Sequence, residues 1–261
     1  MTTNILNRLK AKVGIRDDLA RCALCECVCT AFYMYVGFCS NANYVISRQP
    51  EHQYFAGQFA WGMGQLFSVQ MGFAISAVSF FQYTFGRIGL RRMLFYWVAQ
   101  FFGAFCGAAL TFLTYYDGIN DFDGGHRQVY GPNATAGIFA TYPRGYLSVT
   151  GAIIDQIACT AVMCICISLI TDRNNQIPRF LQPLFHGLMI CIIGMAVANA
   201  GNGMNPARDL APRLFTYIAG YGIEVFSYRN YTWFWIPIVF PMPNVANMWI
   251  QYVKDTQLVT L

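Results

Sequence analysis

Residues 201–213 read GNGMNPARDLAPR and place Asn205, two prolines, two arginines and Asp209 between long apolar runs. Amide and guanidinium groups held close together bind polar solutes: a guanidinium offers several donors in a fixed fork and a permanent charge. Two acids, Glu26 and Asp155, each stand alone in an apolar stretch, where a carboxylate is costly unless paired or hydrogen-bonded. Such acids are candidates for proton relay. Cys22, Cys25 and Cys29 share a helical face, but zinc takes four ligands and no His lies within that stretch, so soft packing residues are the better reading. Cys22 is also a candidate for palmitoylation. His52, His126 and His186 belong to no constellation of nucleophile and base. No enzyme, metal or cofactor is expected.

The elements that must hold these groups are membrane spans. The chain of 261 residues is 56% hydrophobic and only 11% charged, too apolar for an ordinary soluble domain. A helix needs about 20 mostly apolar residues to cross the bilayer core, and six stretches qualify, 19–40, 54–72, 93–115, 148–171, 181–200 and 232–252. With a cytoplasmic N-terminus, eleven Lys and Arg fall inside and four, Arg48, Arg127, Arg144 and Arg229, outside, setting Arg208 and Arg213 apart. The excess of inside charge puts both termini in the cytoplasm. The sequons at Asn133 and Asn230 then both lie outside as expected glycosylation sites. The basic first residues lack the pattern of a signal peptide. Residues 1–18 are expected to be a cytoplasmic segment, 19–253 one membrane domain and 254–261 a cytoplasmic tail. Nothing suggests a nucleic-acid partner.

This topology makes 201–219 dip into the membrane and not cross it. A seventh crossing would turn Asn230 inside and Lys254 outside, against the charge bias. It would also expose Arg208, Asp209 and Arg213 to lipid. Irregular backbone at membrane depth is tolerated where it is buried in protein or lines a wet cavity, so the stretch implies an aqueous path. Asn205 followed by Pro206 is a helix start, the Asn as cap and the Pro where its missing N–H costs nothing. The half-helix is expected from Pro206 to about Tyr217, its positive dipole end pointing into the membrane.

Broken helices often occur in pairs related by an internal repeat. Glu26 and Asp155 lie 129 positions apart, and Ala77 and Ala207 lie 130 apart. Three spans and one dipping segment, repeated once, give an inverted arrangement. "GNGMNPARDLAPRLFTYIAGYG" resembles the second signature loop of the major intrinsic proteins, and the Asp after Asn-Pro-Ala-Arg is similar to their aquaglyceroporin branch. "RRMLFYWVAQFFGAFCGAAL", "TAGIFATYP" and "IIDQIACTAVMCICISLITDRNN" resemble its third helix, long outer loop and fourth helix.

The resemblance implies an all-α membrane protein of six transmembrane helices plus two re-entrant half-helices whose tips meet at mid-membrane, usually a homotetramer with one pore per subunit. It implies a passive channel for water and small neutral solutes such as glycerol or urea, in the plasma membrane. The pore-lining residues it implies are Asn205, Pro206, Ala207 and Arg208 on one tip and Ile75, Ser76 and Ala77 on the other. The implied filter is Arg208, Trp61, Gly194 and Asn202, although ungapped counting puts Phe55 in place of Trp61. Asn202 stands where glycerol channels usually carry an aromatic residue. Glu26, Asp155 and Asp209 are implied as structural supports, and Arg213, Pro237 and Ile238 also match glycerol-conducting members. Two alternatives stay open for Arg208, a solute-gripping donor or a buried ion pair with Asp209 or Glu224. The family's first Asn-Pro-Ala is replaced here by Ile75-Ser76-Ala77, which removes an amide donor. The alternative function is therefore a degenerate, poorly conducting homologue with a structural or regulatory role.

Overall fold

The computed structural model describes residues 14–47, 50–72, 79, 82–83, 86 and 88–241. Ile75, Ser76 and Ala77 lie outside the described residues, as do 242–261.

The first helix, α1 (Asp18–Ile46), starts where the Asp17 carboxylate accepts from the N–H groups of Leu19 and Ala20. At 1.5 Å per residue it is about 43 Å long, more than the bilayer core of about 30 Å. Then come α2 (Pro50–Met71), α3 (Leu90–Thr114), the short α4 (Tyr116–Asp123) and α5 (Val149–Thr171). The Ser148 hydroxyl caps α5 by accepting from Gly151 N–H at 3.0 Å. After it come α6 (Gln182–Ala196), α7 (Pro206–Thr216), α8 (Glu224–Ser227) and α9 (Ile236–Val239). Among the described residues, α1, α3 and α5 are both long and apolar enough to cross a membrane by length and composition.

α1 runs on to Ile46, past the expected end at 40, and α2 starts at Pro50 and not at 54; two later spans are shorter than expected. The span 181–200 stops as helix at Ala196, so α6 is only about 22 Å long, and the chain returns through Val197–Asn205 as irregular backbone. Gly201 makes that return possible: its φ is +93°, in the region that favours glycine. The span beginning at 232 is helical only from Ile236, because Thr232 Oγ1 bonds back to Arg229 O and Trp233 Nε1 donates to Thr141 O at 2.6 Å.

α1 packs against α2 and α3, α2 against α6, α3 against α7 and α5 against α6. The α1–α3 crossing is close: a Cβ on Gly107 would meet Ala31 O at 2.8 Å and one on Gly103 would strike Cys27 O, the small-residue face expected of helices packed in lipid. Exposure runs opposite to that of a soluble protein. Val98 and Leu113 are each 71% exposed, whereas Gln65, Gln100, Gln156, Asp209 and Arg213 are fully enclosed. An apolar outside with a polar inside is what a protein dissolved in lipid around a polar interior requires.

Candidate functional site

The half-helix α7 is built as its sequence dictates. Asn205 is its cap, with extended backbone, and its Oδ1 accepts from Ala207 N–H at 3.0 Å. Pro206 occupies the first turn, and the helix ends in a π-turn through Tyr217–Tyr221. Asp155 and Gln156 of α5 fix the segment that leads to it. The two Asp155 oxygens accept from Asn199 N–H at 2.8 Å and Ala200 N–H at 2.9 Å. Gln156 Oε1 accepts from Met204 N–H at 3.1 Å, and its Nε2 donates to Gly201 O at 3.0 Å. Donors and acceptors of an otherwise unpaired backbone are thereby satisfied inside the protein. Glu26 is bonded to a side chain instead, its Oε2 accepting from Gln100 Nε2 at 2.6 Å.

On the other side of α7, Asp209 and Arg213 fasten the loop through Thr141. Asp209 Oδ2 accepts from Thr141 N–H at 2.8 Å and from its hydroxyl, and Oδ1 accepts from Arg213 Nε and Nη2 at 3.1 and 2.7 Å. Arg213 also donates to Thr141 O at 2.7 Å and Val225 O at 2.6 Å and lies over the Tyr142 ring. Asp209 therefore pairs with Arg213 and not with Arg208. This removes one of the two structural partners expected for Arg208.

Arg208 Nη1 donates to Phe139 O at 3.0 Å, while its Nε has no partner among the described residues. Its guanidinium lies 5.0 Å from the Trp61 ring and 5.3 Å from the Phe38 ring, within reach of their negative π faces. Trp61 is held from behind: its Nε1 donates to Asn41 Oδ1 at 2.9 Å, and Asn41 Nδ2 donates to Ile138 O at 2.9 Å. Phe55, the ungapped alternative, is 64% exposed and stacks on Phe59, so it faces away from Arg208.

A cavity of about 620 Å³ opens beside these groups, walled by Tyr44, Tyr54, Tyr142, Tyr146 and the return segment from Ala196 to Asn202. Gly194 and Gln58 also line it. A smaller cavity of about 20 Å³ is lined by Tyr33, Met163, Ile190, Met204 and Asn205. Trp61, Asn202 and Arg208 line both. The three form a neck between a wide vestibule and a chamber with room for about one water. The structure thus brings Trp61, Gly194, Asn202, Asn205 and Arg208 around two adjoining cavities, with Asp155 and Asp209 hydrogen-bonded to the backbone nearby.

Asn41, Gln58 and Gln156 were missed by the sequence reading. Each is an amide in an apolar helix, and the position of Gln156 next to Asp155 is a signal in the sequence. Among the described residues no group of three or more metal-ligating side chains is present. Cys25 Sγ lies 3.8 Å from Cys29 Sγ and donates to Met71 O, a packing contact.

Comparison with known proteins bears on the fold and the family. The family model described as major intrinsic protein matches residues 15–246. Aquaporin-9 of Mus musculus is 41% identical over 258 residues, covering 96% of this chain and 87% of its own. Aquaporin-10 of Homo sapiens is 36% identical, with 87% of this chain and 78% of its own covered. Among solved structures, the aquaglyceroporin from Plasmodium falciparum superposes with a TM-score of 0.78 at 23% identity, covering 92% of this chain and 97% of that one, a likeness of fold. The chain therefore belongs to the major intrinsic protein family, as an integral membrane protein of aquaporin fold that passes water and small solutes passively.

Proposed function

We propose that solutes cross this chain through the neck formed by Trp61, Asn202 and Arg208, and that the wide vestibule is the extracellular entry. The observation that carries this reading is that, among the described residues, these three are shared by the vestibule and the chamber beside Asn205. In this role Arg208, only 5% exposed, presents donors to hydroxyl or carbonyl oxygens, and its charge repels cations. Trp61 supplies an apolar wall for the carbon side of a solute. Gly194 and Asn202 set the remaining bounds. Asn205 offers its NH2 to a passing oxygen, since its Oδ1 is taken by Ala207 N–H. The dipole end of α7, with Pro206 and Ala207 at its first turn, adds a positive field.

Asp155 and Asp209 act as supports of the backbone around the path, and Glu26 does the same in the first half. Ile75, Ser76 and Ala77 are proposed as the opposite lip, on the internal repeat in the sequence. Residues 19–253 form the channel domain, with 1–18 and 254–261 cytoplasmic, a placement supported by the Lys and Arg distribution. Asn133 and Asn230, both exposed, are proposed glycosylation sites on the outer face. The tilted contact of the Tyr130 and Tyr228 rings, 6.2 Å apart, supports a common side for their two loops. Family likeness supports a homotetramer in the plasma membrane. Water, glycerol and urea are the proposed solutes.

The test is osmotic swelling of proteoliposomes holding the purified protein under inward gradients of each solute. Rates above those of empty vesicles for at least water are expected. Rates equal to empty vesicles for every solute would sink the reading.

A further inference from the structure

We propose that Gln58 is a specificity-determining residue: paired with Asn202, it closes the room that Gly194 would otherwise leave for a polyol. The inference rests on the neck being the solute path. Gln58 lies three residues before Trp61 on α2 and therefore on the same helical face. Its Oε1 accepts from Asn202 Nδ2 at 3.0 Å. A Cβ on Gly194 would strike Gln58 Oε1 and come within 2.8 Å of Asn202 Nδ2. The space beside the glycine is thus filled by an amide crossbar running from α2 to the return segment.

The crossbar has two consequences for what passes. The chamber beneath it is water-sized, so a water crosses with the amide pair in place. A glycerol carries three carbons as well as its hydroxyls, and it crosses only when the pair parts. Asn202 Oδ1 is buried and has no partner among the described residues, so parting the pair frees an amide whose oxygen already lacks a donor. A solute that offers an O–H or N–H to that oxygen compensates for the broken bond. An apolar solute of equal size does not. Discrimination between water and larger polar solutes therefore falls to Gln58 and Asn202 together, beyond the arginine and aromatic wall that flank them.

The experiment measures the ratio of glycerol to water permeability in proteoliposomes for the full chain and for Gln58→Ser, Asn202→Ser and the double variant. Opening the crossbar is expected to raise that ratio by about fivefold, the equivalent of one broken hydrogen bond. The double variant is expected to match either single, since each removes the same contact. Phe55→Ala, on the outward surface of the same helix, leaves the ratio unchanged. If Gln58→Ser does not yield monodisperse protein, Asn202→Ser carries the same comparison. Water flux with an unchanged ratio in the crossbar variants would overturn the inference while the channel reading stands. Flux no higher than empty vesicles from wild type and every variant would contradict the channel reading and the inference with it.

Discussion

The carboxylate of Asp209 faces Arg213, one turn further along its own helix, at 2.7 Å, and both side chains are wholly buried. That pairing leaves the neighbouring guanidinium of Arg208 to point at Trp61 and the neck. A buried ion pair is expensive to break from one side, because the remaining charge has no solvent.

Asp209→Ala is accordingly expected to destabilise the protein by about 3–5 kcal/mol, seen as a drop of roughly 10 °C in the apparent Tm of the detergent-solubilised protein. Replacing both partners with apolar residues, Asp209→Leu with Arg213→Met, is expected to lose less than Asp209→Ala alone. A single variant as stable as wild type would show that the pair contributes nothing.

Asp155 gives a second prediction. Its two oxygens hold the N–H groups of Asn199 and Ala200, and each hydrogen bond to a charged group contributes about 1.5–3 kcal/mol. Asp155→Ala leaves both donors unpaired and is expected to lower the Tm and the water flux per folded protein together. Asp155→Asn retains one acceptor and is expected to fall between. Wild-type flux and Tm in Asp155→Ala would remove Asp155 from the support of the path.

A large part of the fold is legible in the sequence because lipid imposes simple rules. Helix length and the polar dip at 201–213 are both consequences of moving backbone or charge out of water. The cap at Asn205 and the start at Pro206 are local chemistry and fall where expected. What the sequence does not carry is side-chain partnership across helices. Gln58 reads as one polar residue in an apolar helix until Asn202, 144 positions away, is seen against it. The choice between Trp61 and Phe55 likewise depends on which side of α2 faces α7. The early end of α6 is obscured because Val197, Ala198 and Ala200 are as apolar as the helix before them, while Asp155 captures their backbone.

The first signature loop yields a prediction from sequence alone. Ile75 stands where the repeat calls for an amide donor, and losing one partner of a buried polar group costs roughly 1–3 kcal/mol. Ile75→Asn is expected to raise water or glycerol flux by about tenfold. No change in swelling rate would place the limit to flux elsewhere on the path.

The most direct measurement is the water permeability of monodisperse Asn202→Arg beside wild type in the same proteoliposomes. If the neck of Trp61, Asn202 and Arg208 is the passage, filling it with a second long guanidinium side chain brings swelling down to the rate of empty vesicles. Swelling of the variant at the wild-type rate would contradict that passage.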